Sequence, residues 1–214
     1  MKRNFVVFIC MLLGLFFASS RVLHATVIHG AVMHGVLLNY MAPVSADPCA
    51  GKSVGQSCTG GALYGGQYNG SHYMVTPGGC SDESCTGAGG TDGVTKAWAN
   101  GSGTSAWGVT TGAASNTDGK GNTAILMNYT DSDAAHWCAT MNYGGYTDWF
   151  LPAPNEISSV LYANKAALGG FAATDYWSST EAGIYGAVYV NFTDGSVAGL
   201  NKATGFDVRC VRTY

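Results

Sequence analysis

The sequence is poor in charge, and its omissions narrow the function first. Only 11% of the 214 residues are Asp, Glu, Lys or Arg. No acid precedes Asp47, and after Ala46 seven Lys/Arg stand against thirteen Asp/Glu, a net of −6. A body that acidic, without a basic stripe, is a poor match for nucleic acid or heparin-like polyanions. It leaves a neutral ligand open. The 31 glycines follow no G-X-Y period, which excludes a collagen-like rod, and no internal repeat of useful length is present. C-x-x-C pairs are also missing: the closest cysteines are Cys80 and Cys85, so neither a zinc site nor a thioredoxin-like redox pair is expected. H-E-x-x-H is absent, and His72 and His136, the histidines after residue 46, are far apart. Each is expected to be solvated or locally bonded rather than a general base, and no catalysis is expected.

What is present begins with an export signal. Lys2 and Arg3 form a basic start, and Phe5 to Ala18 is an unbroken apolar run, near a signal's length and short for a membrane span. A second apolar stretch, Ala25 to Met41, is interrupted by His29, Gly30, His34 and Gly35. Val44-Ser45-Ala46 before Asp47 is an acceptable small-residue cleavage site. Residues 1–46 are therefore expected to be removed. Cleavage near Ser20, or retention as an anchor, is the alternative and would be the one link to a membrane. Cys10 lies inside the first run without the small residues of a lipoprotein site.

Six cysteines follow the signal: Cys49, Cys58, Cys80, Cys85, Cys138 and Cys210. An even number in a Gly-rich exported chain reads as disulfides, with 15 pairings open if all six bond. With 47% apolar residues the chain is long enough for one domain with a real core.

Composition changes once along the chain. From Asp47 to about Asn122 it is rich in Gly, Ser and Thr, with strand-length apolar islands at Ala62-Leu63-Tyr64, Tyr73-Met74-Val75, Lys96-Ala97-Trp98 and Ala106-Trp107-Gly108. Turn formers such as Thr76-Pro77-Gly78-Gly79 and Asp118-Gly119 bound them. Helical periodicity then takes over. Ser132 or Asp133 caps a predicted helix carrying Ala134, Trp137, Cys138 and Met141 on one face, ended by Asn142 and Gly144-Gly145. A second begins at Pro154 with Glu156 near its positive end and turns Ile157, Val160 and Leu161 inward.

After Phe171 the pattern becomes β. Tyr176–Thr180 reads as a strand, and Val188, Val190 and Phe192 alternate with Ala187, Tyr189 and Asn191, predicting one core face and one open face. Asp194-Gly195 signals a two-residue hairpin, Val197 continues the returning strand, and Val208, Cys210 and Arg212 alternate in a last one. Strands, two helices and more strands indicate an α+β class.

Gly144-Gly145-Tyr146-Thr147-Asp148-Trp149-Phe150-Leu151-Pro152, Asn155-Glu156, Tyr176-Trp177-Ser178-Ser179-Thr180-Glu181 and Val208-Arg209-Cys210-Val211-Arg212 form an ordered series. With these blocks the chain resembles the bacterial Lcl C-terminal domain family, a domain of unknown function named after a collagen-like adhesin. The resemblance covers about residues 61 to 212 and implies a C-type-lectin-like fold with two helices, a small twisted antiparallel sheet, long Gly-rich loops and disulfide staples. It implies the long-range bridge Cys138–Cys210, leaving Cys49–Cys58 and Cys80–Cys85 as local pairs. Residues 47–60 would then be a Cys-containing extension ahead of a domain over 61–214.

Most of the blocks read as architecture. Trp149, Leu151 and Trp177 supply apolar area, while Asp148, Ser178 and Ser179 satisfy nearby polar groups. Pro154-Asn155-Glu156 resembles part of a lectin calcium motif, but the partner Trp-Asn-Asp string is missing and the three residues start a helix, so no metal or other cofactor is expected. The site expected from the resemblance is the open strand face, with Tyr189 and Asn191, and the adjoining Tyr185, Asp194, Asn201 and Lys202; Tyr and Asn are efficient contact residues for sugars and proteins. The expected function is an exported, non-enzymatic lectin-like recognition or adhesion module for a glycan or surface protein. A structural piece of a surface appendage or envelope assembly is the alternative. The adhesin relatives join the domain to collagen repeats and bind sulfated glycosaminoglycans; this chain has no such repeats, and its acidic body disfavours that ligand.

Overall fold

The structure, a computed structural model, describes residues 46–214. The expected signal segment, except Ala46, and Cys10 lie outside the described residues. The chain forms β1 (Leu63–Tyr68), β2 (Ser71–Val75), β3 (Thr95–Ala97), α1 (Gly119–Leu126), α2 (Asp133–Ala139), α3 (Pro154–Glu156), a π-helical turn (Ile157–Tyr162) and α4 (Lys165–Leu168). It closes with β4 (Asp175–Glu181), β5 (Gly186–Asn191), β6 (Val197–Asn201), β7 (Gly205–Asp207) and β8 (Val211–Thr213). One sheet has the order β1-β2-β8 and the other β3-β7-β4-β5-β6. All neighbours are antiparallel except the β4–β7 pair. The architecture is α+β.

Two apolar clusters lie on opposite sides of the strands. Met74 and Trp177 enter one, with Trp98, Leu126, Trp137, Met141, Trp149 and Leu151. Tyr73, Val75 and Tyr176 enter the other, with Phe150, Ile157, Val160, Leu161, Val190, Phe192 and Val211. Side-chain alternation along β2 and β4 therefore feeds two cores rather than a core and solvent. Three of the buried indoles are satisfied: Trp98 Nε1 donates to the Ser178 carbonyl at 2.8 Å, Trp149 Nε1 to that of Tyr146 at 3.1 Å, and Trp177 Nε1 to those of Lys96 and Thr204. Ser178 donates to the Val188 carbonyl and Ser179 accepts from Asn122, so these residues are architectural.

The three bridges are Cys49–Cys58, Cys80–Cys85 and Cys138–Cys210. The last ties α2 to the segment between β7 and β8 across 72 residues. Residues 47–60 pack against β1, with the Gly55 amide donating to the Tyr64 carbonyl and Ser57 bridging Leu63.

Several elements differ from the sequence reading. The helix of α1 was unexpected, because Asp118-Gly119 and two glycines within eight residues read as a turn. Asp118 instead caps the helix, accepting from the Gly121 amide at 2.8 Å. Gly119 is required there, since a Cβ would stand 2.4 Å from Glu156 Oε2 and 2.5 Å from the Ala153 nitrogen. Ala106–Gly108 is a loop, not a strand. Of the expected last strand only Val211 and Arg212 are extended, at the start of β8; Val208–Cys210 connects β7 to β8, which join different sheets. Its alternation fails because Arg209 and Arg212 are buried as well, paired with Asp92 at 2.6 Å and Asp148 at 2.7 Å. The 194–195 hairpin has a wider turn: the Asn191 amide donates to the Ser196 carbonyl, leaving Phe192 to Gly195 as the loop.

The helix predicted from Pro154 forms as three short pieces. The Ala163 amide reaches back five residues to the Ser158 carbonyl, the signature of the π turn. Glu156 points inward, 3% exposed, and accepts from the Tyr73 hydroxyl (2.7 Å) and the Ala153 (2.7 Å) and Gly119 (3.0 Å) amides. Burial raises its carboxyl above the ordinary 4.5, outweighing the opposing hydrogen bonds. Because the folded value is raised, this group's contribution is complete below the unfolded value and lost as pH rises through the folded one. We therefore expect the stability of the native protein, relative to a Glu156→Gln variant, to decline as pH rises from the acid side, measured by urea unfolding. A constant difference across pH would show Glu156 to be solvated.

Candidate functional site

The β5–β6 hairpin carries most of the expected site residues, and the structure separates them. Asn191 and Asp194 lie at the turn. Asn191 Nδ2 donates to Asp175 (2.8 Å) and its Oδ1 accepts from the Thr193 and Asp194 amides, so this side chain builds the turn. Hydrogen bonds from Ser196 hold the exposed Asp194 carboxyl below its ordinary value. Tyr185 and Asn201 lie at the other end of the hairpin, about 20 Å away at ~3.3 Å per residue.

Two placements correct the expected open face. Ala187 is fully buried, and Tyr189 is half-buried, its ring 6.3 Å from Trp177 and 5.0 Å from Phe206. Val190 and Phe192 are buried as expected, whereas Val188 is only half-buried. Both faces of β5 are packed because two cores flank the sheet. Lys202 is also buried and does not reach the surface. Its Nζ donates to Glu181 Oε1 at 2.6 Å and to the Ala106 carbonyl at 2.8 Å, and lies 4.8 Å from the Trp98 ring centroid.

That buried lysine organises the surface above it. Glu181 also accepts from the Thr111 amide. Asp131, fully buried, accepts from the Gly101 amide (2.8 Å), the Ala106 amide (2.7 Å) and the Ser105 hydroxyl (2.6 Å). The 100–111 loop is thus fastened along its length by three buried charged side chains, Lys202, Glu181 and Asp131. It presents Trp107 against the 182–185 loop, where the Gly108 amide donates to the Ile184 carbonyl at 2.8 Å. Gly108 has φ +76°, and the Tyr185 ring lies 3.5 Å from where a Cβ would stand. Trp107 and Tyr185 sit 5.5 Å apart, inclined by 56°.

The result is an uncharged patch on the 107–109 and 184–185 loops, with Trp107 half-buried, Val109, Ile184 and Tyr185 exposed, Tyr185 at 54%, and exposed Leu200 on β6. Asn201 adjoins it, its Oδ1 bonded to the Ala203 amide. Of the six expected residues only Tyr185 and Asn201 belong to this patch. Trp107, Val109, Ile184 and Leu200 were missed. Trp107 was visible as an apolar island in a Gly/Ser/Thr loop, but its neighbour Tyr185 is distant in sequence and no periodicity links the two.

The other candidates are consumed locally. His136 Nε2 bonds the Tyr129 carbonyl at 2.9 Å, and His72 bonds the Tyr64 hydroxyl and Gln67. Gly51-Lys52-Ser53-Val54-Gly55 spells the G-x-S-x-G nucleophile pattern. It lies in turns inside the Cys49–Cys58 loop, without the strand and helix a nucleophile elbow needs.

The site and fold define a disulfide-bridged α+β domain with a rigidly backed apolar patch. The chain belongs to the Lcl C-terminal domain family, whose model matches residues 91–212. The match takes in Asp131, Glu181, Lys202 and the patch and begins after the first two disulfides. No curated protein matches the chain.

Proposed function

We propose that this is an exported, non-enzymatic, C-type-lectin-like recognition module that binds an uncharged glycan or protein ligand at the cell surface through the Trp107–Tyr185 patch. The observation that carries the reading is an aromatic pair, Tyr185 exposed and Trp107 half-buried beside it, with exposed aliphatic side chains on the same loops, which are anchored by a buried ion pair and by hydrogen bonds to Asp131. Such a surface offers stacking area at low entropic cost, and contiguous exposed apolar groups mark interaction sites. Three disulfides suit an oxidising compartment, which supports the export reading. With Lys202 and Glu181 neutralising each other below the surface, the patch favours neutral over sulfated ligands.

The test is binding to a panel of neutral and sulfated glycans and to host or neighbouring-cell surface proteins. Tyr185→Ala is expected to weaken binding at least about tenfold, as truncation of a central aromatic contact does, with thermal stability nearly unchanged. Unaltered affinity would move the site away from this patch. Binding to no ligand, with stoichiometric copurification in a surface polymer, would favour the structural alternative.

A further inference from the structure

The five-stranded sheet ends on β3, three residues long, and on β6, whose five residues are all exposed. Edge strands are normally guarded by charge, proline or a bulge. Val197-Ala198-Gly199-Leu200-Asn201 has none of these: it is uncharged, lacks proline and pairs with β5 without a register shift. Val197 (51%) and Leu200 (44%) are among the most exposed large apolar residues described.

The ladder fixes which backbone groups are free. The Asn191 amide donates to the Ser196 carbonyl at one end and the Lys202 amide to the Tyr185 carbonyl at the other. Antiparallel pairs alternate, so Ala198 and Leu200 bond to β5 while Val197, Gly199 and Asn201 turn their amides and carbonyls outward. The Asn201 carbonyl also accepts from the Thr204 amide; its second lone pair stays available.

We propose that β6 pairs with β6 of a second copy of this chain, antiparallel about Gly199, joining two five-stranded sheets into one. About that axis the outward groups are self-complementary. Gly199 bonds Gly199 of the other copy in both directions, and Val197 bonds Asn201 on either side. Ala198 of each copy faces Leu200 of the other in the close, non-bonded pairs, covering apolar surface that each copy leaves exposed. The absence of charge matters because each body is acidic after residue 46; an uncharged edge permits close approach without setting like charges opposite each other. The pairing does not rest on the ligand reading; it takes Leu200 into the contact and would leave the assembly two patches built on Trp107, Ile184 and Tyr185.

The experiment is sedimentation velocity of the purified protein over a concentration series, with hydrogen exchange at the Val197 and Gly199 amides. A monomer–dimer equilibrium is expected, with protection of those two amides rising with concentration. Leu200→Lys is expected to weaken association at least about tenfold by setting positive charge in the contact. Val197→Pro, which removes only an outward-facing donor, should act in the same direction, and circular dichroism should show both variants folded. A protein that stays monomeric at its solubility limit overturns the proposal. So does a dimer unaffected by either substitution and lacking protection at Val197 and Gly199.

Discussion

Replacing Cys138 and Cys210 together by alanine is expected to destabilise the domain by about 4 kcal/mol or more, the chain-entropy value for a bridge closing so long a loop. The bridge spans 72 residues and both cysteines are buried, so packing contacts vanish along with the constraint. For a domain of this size the loss corresponds to roughly 8–16 °C in melting temperature by calorimetry. Removing Cys80–Cys85, which spans five residues, is expected to cost only about 2 kcal/mol. Equal losses for the two bridges would mean that α2 and the β7–β8 segment are held together mainly by packing.

Lys202→Met should cost nearly as much, about 3–5 kcal/mol, by leaving the Glu181 carboxylate buried without its cation. The pair is enclosed, with side-chain exposures of 0% for Lys202 and 5% for Glu181. The Thr111 amide alone would remain to satisfy that carboxylate. Adding Glu181→Gln in the same chain should restore much of the loss, since a neutral amide still accepts from Thr111 and no charge is stranded. Urea unfolding of the two single variants and the double variant measures the coupling. Additive effects would show that water reaches the pair. Because Lys202 also anchors the Ala106 carbonyl, the single variant should weaken ligand binding at the patch even though Lys202 touches no surface.

Much of the framework was legible along the chain. The helical spacing of Ala134, Trp137, Cys138 and Met141 predicted α2, and the Val190–Phe192 alternation predicted the buried side of β5. Those signals are local, because periods of 3.6 and 2 repeat within one element. The four ordered blocks, three of them carrying Trp or Arg, identified the family, and the disulfide pairing implied by that resemblance is the one observed. The site was only partly legible, and the reasons are specific. Alternation assumes one wet face, whereas the β5 strand lies between two cores, so Tyr189 is packed rather than presented. Charge alone suggests exposure for Lys202 and Arg209, yet each has a carboxylate partner from a distant segment. Asp118-Gly119 has the composition of a turn, but the close approach of Glu156 makes Gly119 the start of a helix.

Sequence alone determined the charge balance, the even set of cysteines after residue 46, the main periodic elements and the membership carried by its motifs. All of these depend on residue identity and short-range spacing. The tertiary structure decided which strand lies at the edge, which charges are buried together and which aromatics meet. Trp107 and Tyr185 are brought together only because Lys202, Glu181 and Asp131 fasten a distant loop beside the hairpin. Contacts of that kind depend on which groups can satisfy one another once water is excluded, and nothing in the linear order of the chain encodes that pairing.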